Sequence, residues 1–350
     1  MLTISDDPKI KNQLYPFAQI RPVVEIRIGI LTIKEKWQKL LGPSVHLQPA
    51  LADEPALNSF PCNLIPSKSF AVDYLKEIIS PANYQGHSSY RLLEFPWHIA
   101  EYNDWALRED FKLITEGRYS QPIPETVQAI KSTQIFIEEG ARMQYCILNA
   151  TTGPIYIGKH AEIMEGAIIR GPFALCEGSV VKMGTKIYGA TTVGPHSVVG
   201  GEIKNSVIFG YSNKAHDGYL GDSVIGEWCN IGAGTSNSNL KNTASDVKLW
   251  HQPAKEFLNA GLKCGVMMGD YSRCAINTSF NTATVTGIAA HVFGEGLTSK
   301  YIPDFSWGSD GKERYRFEKA LQDISNWKKL KNKILTDQDI QILKSIFDHT

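Results

Sequence analysis

The side chains best suited to chemistry concentrate in one stretch, Asn213–Thr235, which reads NKAHDGYLGDSVIGEWCNIGAGT. Its histidine, His216, precedes Tyr219 and Asp222, with Asn230 a short interval later. An imidazole has an unperturbed pKa of about 6.5, so it can take and return a proton near neutral pH. His160, His196 and His291 lack such neighbours and read as corner residues with no role. The nine histidines (46, 87, 98, 160, 196, 216, 251, 291, 349) include no H-x4-H pair, which argues against a zinc site, and no metal ligands are assigned. The six cysteines (62, 146, 176, 229, 264, 274) contain no C-x-x-C pair and read as buried thiols in a reducing compartment. Lys+Arg and Asp+Glu both total 36, so no general attraction to nucleic acid or to a membrane surface is expected. Met1–Gln19 carries two adjacent aspartates and no apolar core of a signal peptide. No stretch approaches the roughly 20 apolar residues of a membrane span. A cytoplasmic protein is expected.

The element that must position His216 is written as a period of six. From Ile157 to Val199 every sixth residue is aliphatic: Ile157, Ile163, Ile169, Leu175, Val181, Ile187, Val193 and Val199. Small residues recur between them, among them Ala161, Ala167, Ser179, Thr185, Thr191 and Ser197. Six fits neither an amphipathic helix nor hairpin strands spaced by turns. It fits a parallel β-helix, in which each hexad is a short strand plus a corner and the aliphatic residue points inward. The frame breaks between Val199 and Ile225, 26 positions apart and two more than four hexads, so a loop is expected to bulge there. Thr235–Gly261 breaks it again with a polar, aromatic insertion. A looser period returns at Met268, Cys274, Phe280, Thr286 and Val292.

Composition divides the chain. Residues 1–130 hold only four glycines (29, 42, 86, 117) of the 29. They mix a strand-like run, Val23–Ile33, with a helical pattern over Trp97–Leu113 in which Asn103 could cap, as in an α/β domain. Pro122 and Pro124 suggest a linker. The repeat domain occupies 131–307, and 308–350 reads as helices, with a capping-box-like TDQD at Thr336–Asp339. Such a tail is expected to cap the open end of the repeat or to pack on a neighbouring subunit.

The block at 213–235 carries a family resemblance. His216, Tyr219-Leu220-Gly221-Asp222 and Asn230-Ile231-Gly232-Ala233-Gly234-Thr235 resemble, in residue type and spacing, the acetyltransferase half of the GlmU-like family. That family joins UDP-N-acetylglucosamine diphosphorylase and glucosamine-1-phosphate N-acetyltransferase activities. RPVVEIRIGILTIKEKW and EDFKLITEGR are similar to a bacterial variant of it with a divergent front domain. The resemblance implies a left-handed parallel β-helix, preceded by an α/β domain and followed by a helical tail. It also implies a homotrimer with each active site between neighbours.

Carried onto this sequence, the resemblance makes His216 the catalytic base. Lys182, Lys204, Tyr219, Asn230 and Asn239 become acceptor-binding residues, and Ala233 lines the path of the pantetheine arm. Lys182 stands where the family has an arginine, and an ammonium lacks the bidentate fork of a guanidinium. Asn239 would lie by the acetyl group and help polarise its carbonyl. SNSNLKN replaces the CNYDG of the family, so the sugar is less defined than the reaction.

The implied function is transfer of an acetyl group from acetyl-CoA to an amino-sugar phosphate, in sugar-nucleotide biosynthesis. A sugar-1-phosphate nucleotidyltransferase in the front domain would add UTP or dTTP as substrate and Mg²⁺ as cofactor. Yet no glycine-rich phosphate loop exists before residue 130, and the first carboxylate pair is Asp6-Asp7. Arg21 and Arg27 are candidate phosphate ligands, or partners of Glu25 or Asp7. His98 stands where the variant family is expected to carry Asp. Two other readings stay open: a nucleotidyltransferase whose β-helix only oligomerises the protein, and a non-catalytic scaffold.

Overall fold

The computed structural model describes residues 2–42, 45–49 and 59–350. The six-residue period folds, as expected, into a left-handed parallel β-helix of about ten turns. Three parallel sheets form a prism. The first face runs in nine strands between Ile135–Ile137 and Tyr301–Ile302. The second has eight, between Arg142–Met143 and His291–Val292. The third has six, between Gln128–Ile130 and Tyr219–Gly221. Because Gln128–Ile130 pairs with Ile147–Asn149, the prism begins a few residues before the expected boundary at 131. All eight hexad aliphatics from Ile157 to Val199 lie in one continuous core, each at most 1% exposed.

The small residues between them form a second ladder. Ser179 Oγ donates to the Gly194 carbonyl (2.8 Å), Ser197 Oγ to Phe209 (2.6 Å) and Ser212 Oγ to Gly226 (2.6 Å). Each hydroxyl ties one coil to the next by donating to a backbone carbonyl there.

Between Val199 and Ile225 the structure corrects the expectation of a bulging loop. The inward positions there are Ile203, Ile208, Lys214 and Leu220, so the chain completes an extra inward step by tightening its corners. Only Gly200 and Gly201 connect the strand Val198–Val199 to Glu202–Lys204, where four residues connect Val180–Val181 to Lys186–Tyr188. The insertion leaves the prism after Ser236–Asn237 as an antiparallel hairpin, Lys248–His251 with Glu256–Asn259.

The front domain holds α1 (Pro8–Gln13), α2 (Ile33–Leu41), α3 (Lys68–Leu75), α4 (His98–Glu101) and α5 (Asn103–Thr115). They surround a parallel sheet in which Leu2–Asp6 lies between Val45–Pro49 and Ser59–Pro61. The strand-like run at 23–33 is instead a short helical turn and a tight hairpin, Arg27–Ile28 with Leu31–Thr32. Asn103 does not cap its helix. Its buried amide accepts the Gly29 N–H (2.8 Å) and donates to the Ala190 carbonyl (3.0 Å), stitching hairpin to prism. Asp110 accepts the Ile30 and Leu31 amides (2.8 and 3.0 Å) and pairs with buried Lys36. Gly29 has φ +73°, and a Cβ there would stand 2.5 Å from Asp110 Oδ2, so this first glycine of the chain serves the docking. Phe17, Trp37 and Phe60 share one core with Val207, Phe209 and Met267 of the first face, so the domain is packed onto the prism.

The tail, α6 (Phe317–Lys329) and α7 (Asp337–Asp348), begins its second helix with the expected capping box, Thr336 with Asp339. Its placement corrects another expectation. Rather than closing the open end, it lies along the edge between the first and second faces. There Ile324 and Leu343 pack with Trp228, Tyr271 and Phe305.

Candidate active site

His216 stands on the opposite edge, between the second and third faces. Asn213–Lys214 brings the chain to this corner and Tyr219–Gly221 carries it away. The tightened corner lies directly beneath. A Cβ at Gly200 would be 2.5 Å from the Ala215 carbonyl oxygen, and one at Gly201 would be 2.8 Å from that of His216. The two glycines let the histidine corner settle onto the coil below. The imidazole is exposed and shares a groove of about 220 Å³ with Lys182, Met183 and Asp217.

Lys214 is the residue that sequence reasoning missed. It occupies an inward position in register with Val199, and only 2% of its surface is exposed. Its ammonium donates to the His216 carbonyl oxygen from inside the prism. Burial lowers its pKa to about 8. A lysine in a hexad core slot contradicts the pattern that identifies the fold, and that contradiction was the available clue.

Around the corner, the third face carries a polar network. Asn239 donates to the Tyr219 hydroxyl (3.1 Å) and to Asp222. Asp222 also accepts from Asn205 (3.2 Å). Burial, with Asp222 nearby, raises the Tyr219 pKa above the usual phenol range. The two N–H groups of Asn239 are thus spent on Tyr219 and Asp222, so its placement is that of a brace for Tyr219. Lys204 lies on the same face with its ammonium 5.7 Å from the Tyr188 ring centre, and the Tyr188 hydroxyl donates to Glu202 (2.5 Å). Asn230 sits on the second face, between Asn213 and Arg273 in register. Ala233 follows on the histidine edge one coil further on, its carbonyl accepting the Asn277 N–H (2.7 Å). His216 and Lys182 therefore meet in one groove, Tyr219 and Asn239 meet on the adjoining face, and Asn230 lies across the edge.

The other histidines of the repeat are at structural positions. His160 and His196 occupy left-handed corners of the tail-side edge, and His196 stacks on Tyr211 with centroids 5.0 Å apart. His291 packs against Trp307.

The front domain's candidate phosphate ligands are engaged elsewhere. Arg21 binds buried Asp270 (2.7 Å) and Glu227 (3.4 Å) of the prism, while Arg27 reaches Glu35 (3.5 Å). Glu25 pairs with Lys34 (2.7 Å). The Asp7 carboxylate accepts the Lys9 N–H (2.8 Å) and so caps α1 itself. The side chain of Asp6 lies outside the described residues. Among those described, no group of three His, Cys, Asp or Glu residues is arranged to hold a metal ion. His98 is spent in an aromatic cluster with Phe95, Trp97 and Tyr102. All six cysteines are buried, and no described helix is long and apolar enough to cross a membrane.

Comparison with known proteins gives a consistent picture. Residues 2–72 match the sugar nucleotidyl transferase family. The bifunctional sugar-1-phosphate nucleotidylyltransferase/acetyltransferase of Sulfurisphaera tokodaii is 30% identical over 209 residues, 59% of this chain and 45% of that protein. The bifunctional protein GlmU of Synechococcus elongatus is 26% identical over 179 residues, 48% of this chain and 39% of the relative. The chain thus spans less than half the length of these relatives. Among solved structures, the UDP-N-acetylglucosamine acyltransferase of Francisella novicida aligns with a TM-score of 0.34 at 12% identity, covering 65% of this chain and 84% of that one.

Proposed function

We propose that this protein is an acetyl-CoA-dependent N-acetyltransferase acting on an amino-sugar phosphate such as glucosamine-1-phosphate. The observation that carries this reading is the histidine corner, where an exposed imidazole is seated on a glycine pair and held from within by a buried lysine. The similarity to bifunctional nucleotidylyltransferase/acetyltransferases supports it.

In the proposed reaction the amine nitrogen of the sugar attacks the thioester carbonyl carbon. His216 takes the proton that this nitrogen must lose. The C–S bond breaks, and coenzyme A leaves as the thiolate, to which the proton is returned. Lys182, beside His216, and Lys204, on the third face, place positive charge along the path of the acceptor. Tyr219, braced by Asn239 and Asp222, and Asn230 orient the sugar. The pantetheine arm runs past Ala233. Met183 and Ile276 on this edge are 67% and 68% exposed, and a second subunit would cover them. The proposed assembly is a homotrimer in which a neighbour closes each shallow groove.

Nucleotidyl transfer by the front domain is supported by the family match over residues 2–72, whereas Asp7, Arg21 and Arg27 are committed to structural partners. It is therefore the second reading.

The test is steady-state turnover of acetyl-CoA with glucosamine-1-phosphate. His216→Ala should lower kcat by about 100- to 10,000-fold. Equal rates for the two proteins would leave a scaffold or the front-domain activity as the function.

A further inference from the structure

A cavity of about 1030 Å³ is not used by the chemistry above. Its floor is the third face, its side wall the α4–α5 region of the front domain, and its rim the exit of the inserted hairpin. Three distant parts of the chain converge on it. It adjoins the histidine groove along one strand, because Gly201 lines the groove and the next residue, Glu202, lines the cavity.

The lining has a definite chemistry. Trp97 presents an indole that is stacked flat on Phe95, with centroids 4.5 Å apart and planes 4° from parallel. Tyr188 is fixed by its bond to Glu202. Rigid aromatic plates beside side-chain amides and carboxylates suit a sugar ring, which has an apolar face and a hydroxyl edge. The charges divide by availability. Glu202, Asp222 and Asp104 are engaged by Tyr188, by Asn205 and Asn239, and by Arg108. Arg170, Lys186 and Lys263 all line the cavity, and none has a salt bridge among the described residues. Glu101 is the one lining carboxylate with neither a hydrogen bond nor an ion pair through its side chain among the described residues, so the uncommitted charge is three cations against one anion, a net positive balance that suits an anionic ligand. The volume lies at the top of the range for small-molecule sites, leaving room for more than one sugar ring.

We infer that this cavity is the acceptor subsite of the acyl transfer, taking an anionic amino sugar with its ring on Trp97 and its phosphate or diphosphate on Lys186 and Lys263. The inference rests on the acetyltransferase reading. It gives the front domain a task that needs no nucleotidyl chemistry: the domain is one wall of the transferase site.

The experiment uses the full chain. Calorimetric titration with glucosamine-1-phosphate, UDP-glucosamine and UDP is paired with steady-state acetyl transfer to the two sugars. The variants are Trp97→Ala and the double variant Lys186→Met/Lys263→Met, whose exposed side chains can change without loss of fold. Both should weaken sugar binding and raise its KM about tenfold, with the KM for acetyl-CoA unchanged. Tighter binding of UDP-glucosamine than of glucosamine-1-phosphate would assign the diphosphate form, and the reverse the monophosphate. If the double lysine variant binds and turns over sugars like the unaltered protein, or if none of the three probes binds, the cavity is not the acceptor site. Transfer that depends on His216 but ignores the cavity variants overturns this inference alone. Cavity-dependent sugar binding without acetyl transfer leaves the subsite standing and removes the acetyltransferase reading.

Discussion

Two edges of the same prism have been treated in opposite ways. On the tail-side edge the left-handed corners carry His196, Tyr211, Trp228, Tyr271 and Phe305. Tyr211 stacks on Trp228 with centroids 4.4 Å apart, and α6 and α7 cover the row. Lys328 closes it with its ammonium 5.6 Å from the Trp228 ring centre. On the histidine edge most of the left-handed corners are glycine, at Gly166, Gly184, Gly201, Gly218 and Gly234, with Tyr145 and Asn277 at two others. No described helix covers it, and Met183 and Ile276 stay exposed. One edge has its apolar surface removed from water and stabilises the solenoid; the other keeps its backbone bare so that ligand can approach. The contrast separates His196, stacked in the covered row, from His216, exposed on the bare edge and given the proton transfer in the proposed reaction.

The largest effect on this contrast should come from emptying the covered edge. Trp228→Ala should destabilise the protein by about 3–5 kcal/mol, read by denaturant unfolding, because a buried indole leaves both a cavity and an unpaired partner ring. Activity of the folded fraction should be unchanged.

Lys214→Met should act in the reverse sense at the other edge. With a folded pKa of about 8 against the ordinary 10.5, Lys214 binds its proton less well in the folded chain than in the unfolded one. Its burial therefore opposes folding in full below pH 8, and stability should rise as pH climbs from 8 towards 10.5. Methionine removes that rise and should stabilise the fold at pH 7 by about 1 kcal/mol or more. The same change frees the His216 carbonyl, so kcat should fall. A lower Tm at pH 7 with unaltered kcat would show that Lys214 has no positioning role.

Ile276→Ser should have the smallest effect on the isolated chain, within about 0.5 kcal/mol, since its side chain is already in water. If light scattering shows a trimer, the same substitution should weaken its association.

The prism was legible in the sequence because aliphatic hexads declare an inward direction at every step, whereas the corner that bears His216 fell in a break of that regularity. What escaped were departures from it. Gly200–Gly201 shortens a corner and disguises an extra inward step as a gap. Lys214 fills a core slot with a charged residue, which periodicity counts as a break. Arg21 could not be matched to Asp270, 249 positions away, because nothing local records a contact made by docking two domains. The cavity walls at Trp97, Lys186 and Lys263 are likewise joined only by the fold. Lys182, assigned to the acceptor by resemblance, shares the groove of His216, and Asn239, expected at the acetyl group, is bonded to Tyr219 and Asp222.

The central claim is that the histidine edge presents an imidazole to a thioester. It is tested most directly by a crystal structure of the protein with acetyl-CoA. The claim predicts the acetyl carbonyl at the His216 corner, with the pantetheine chain passing Ala233. Acetyl-CoA bound away from that edge, or His216 turned from it, would contradict the claim.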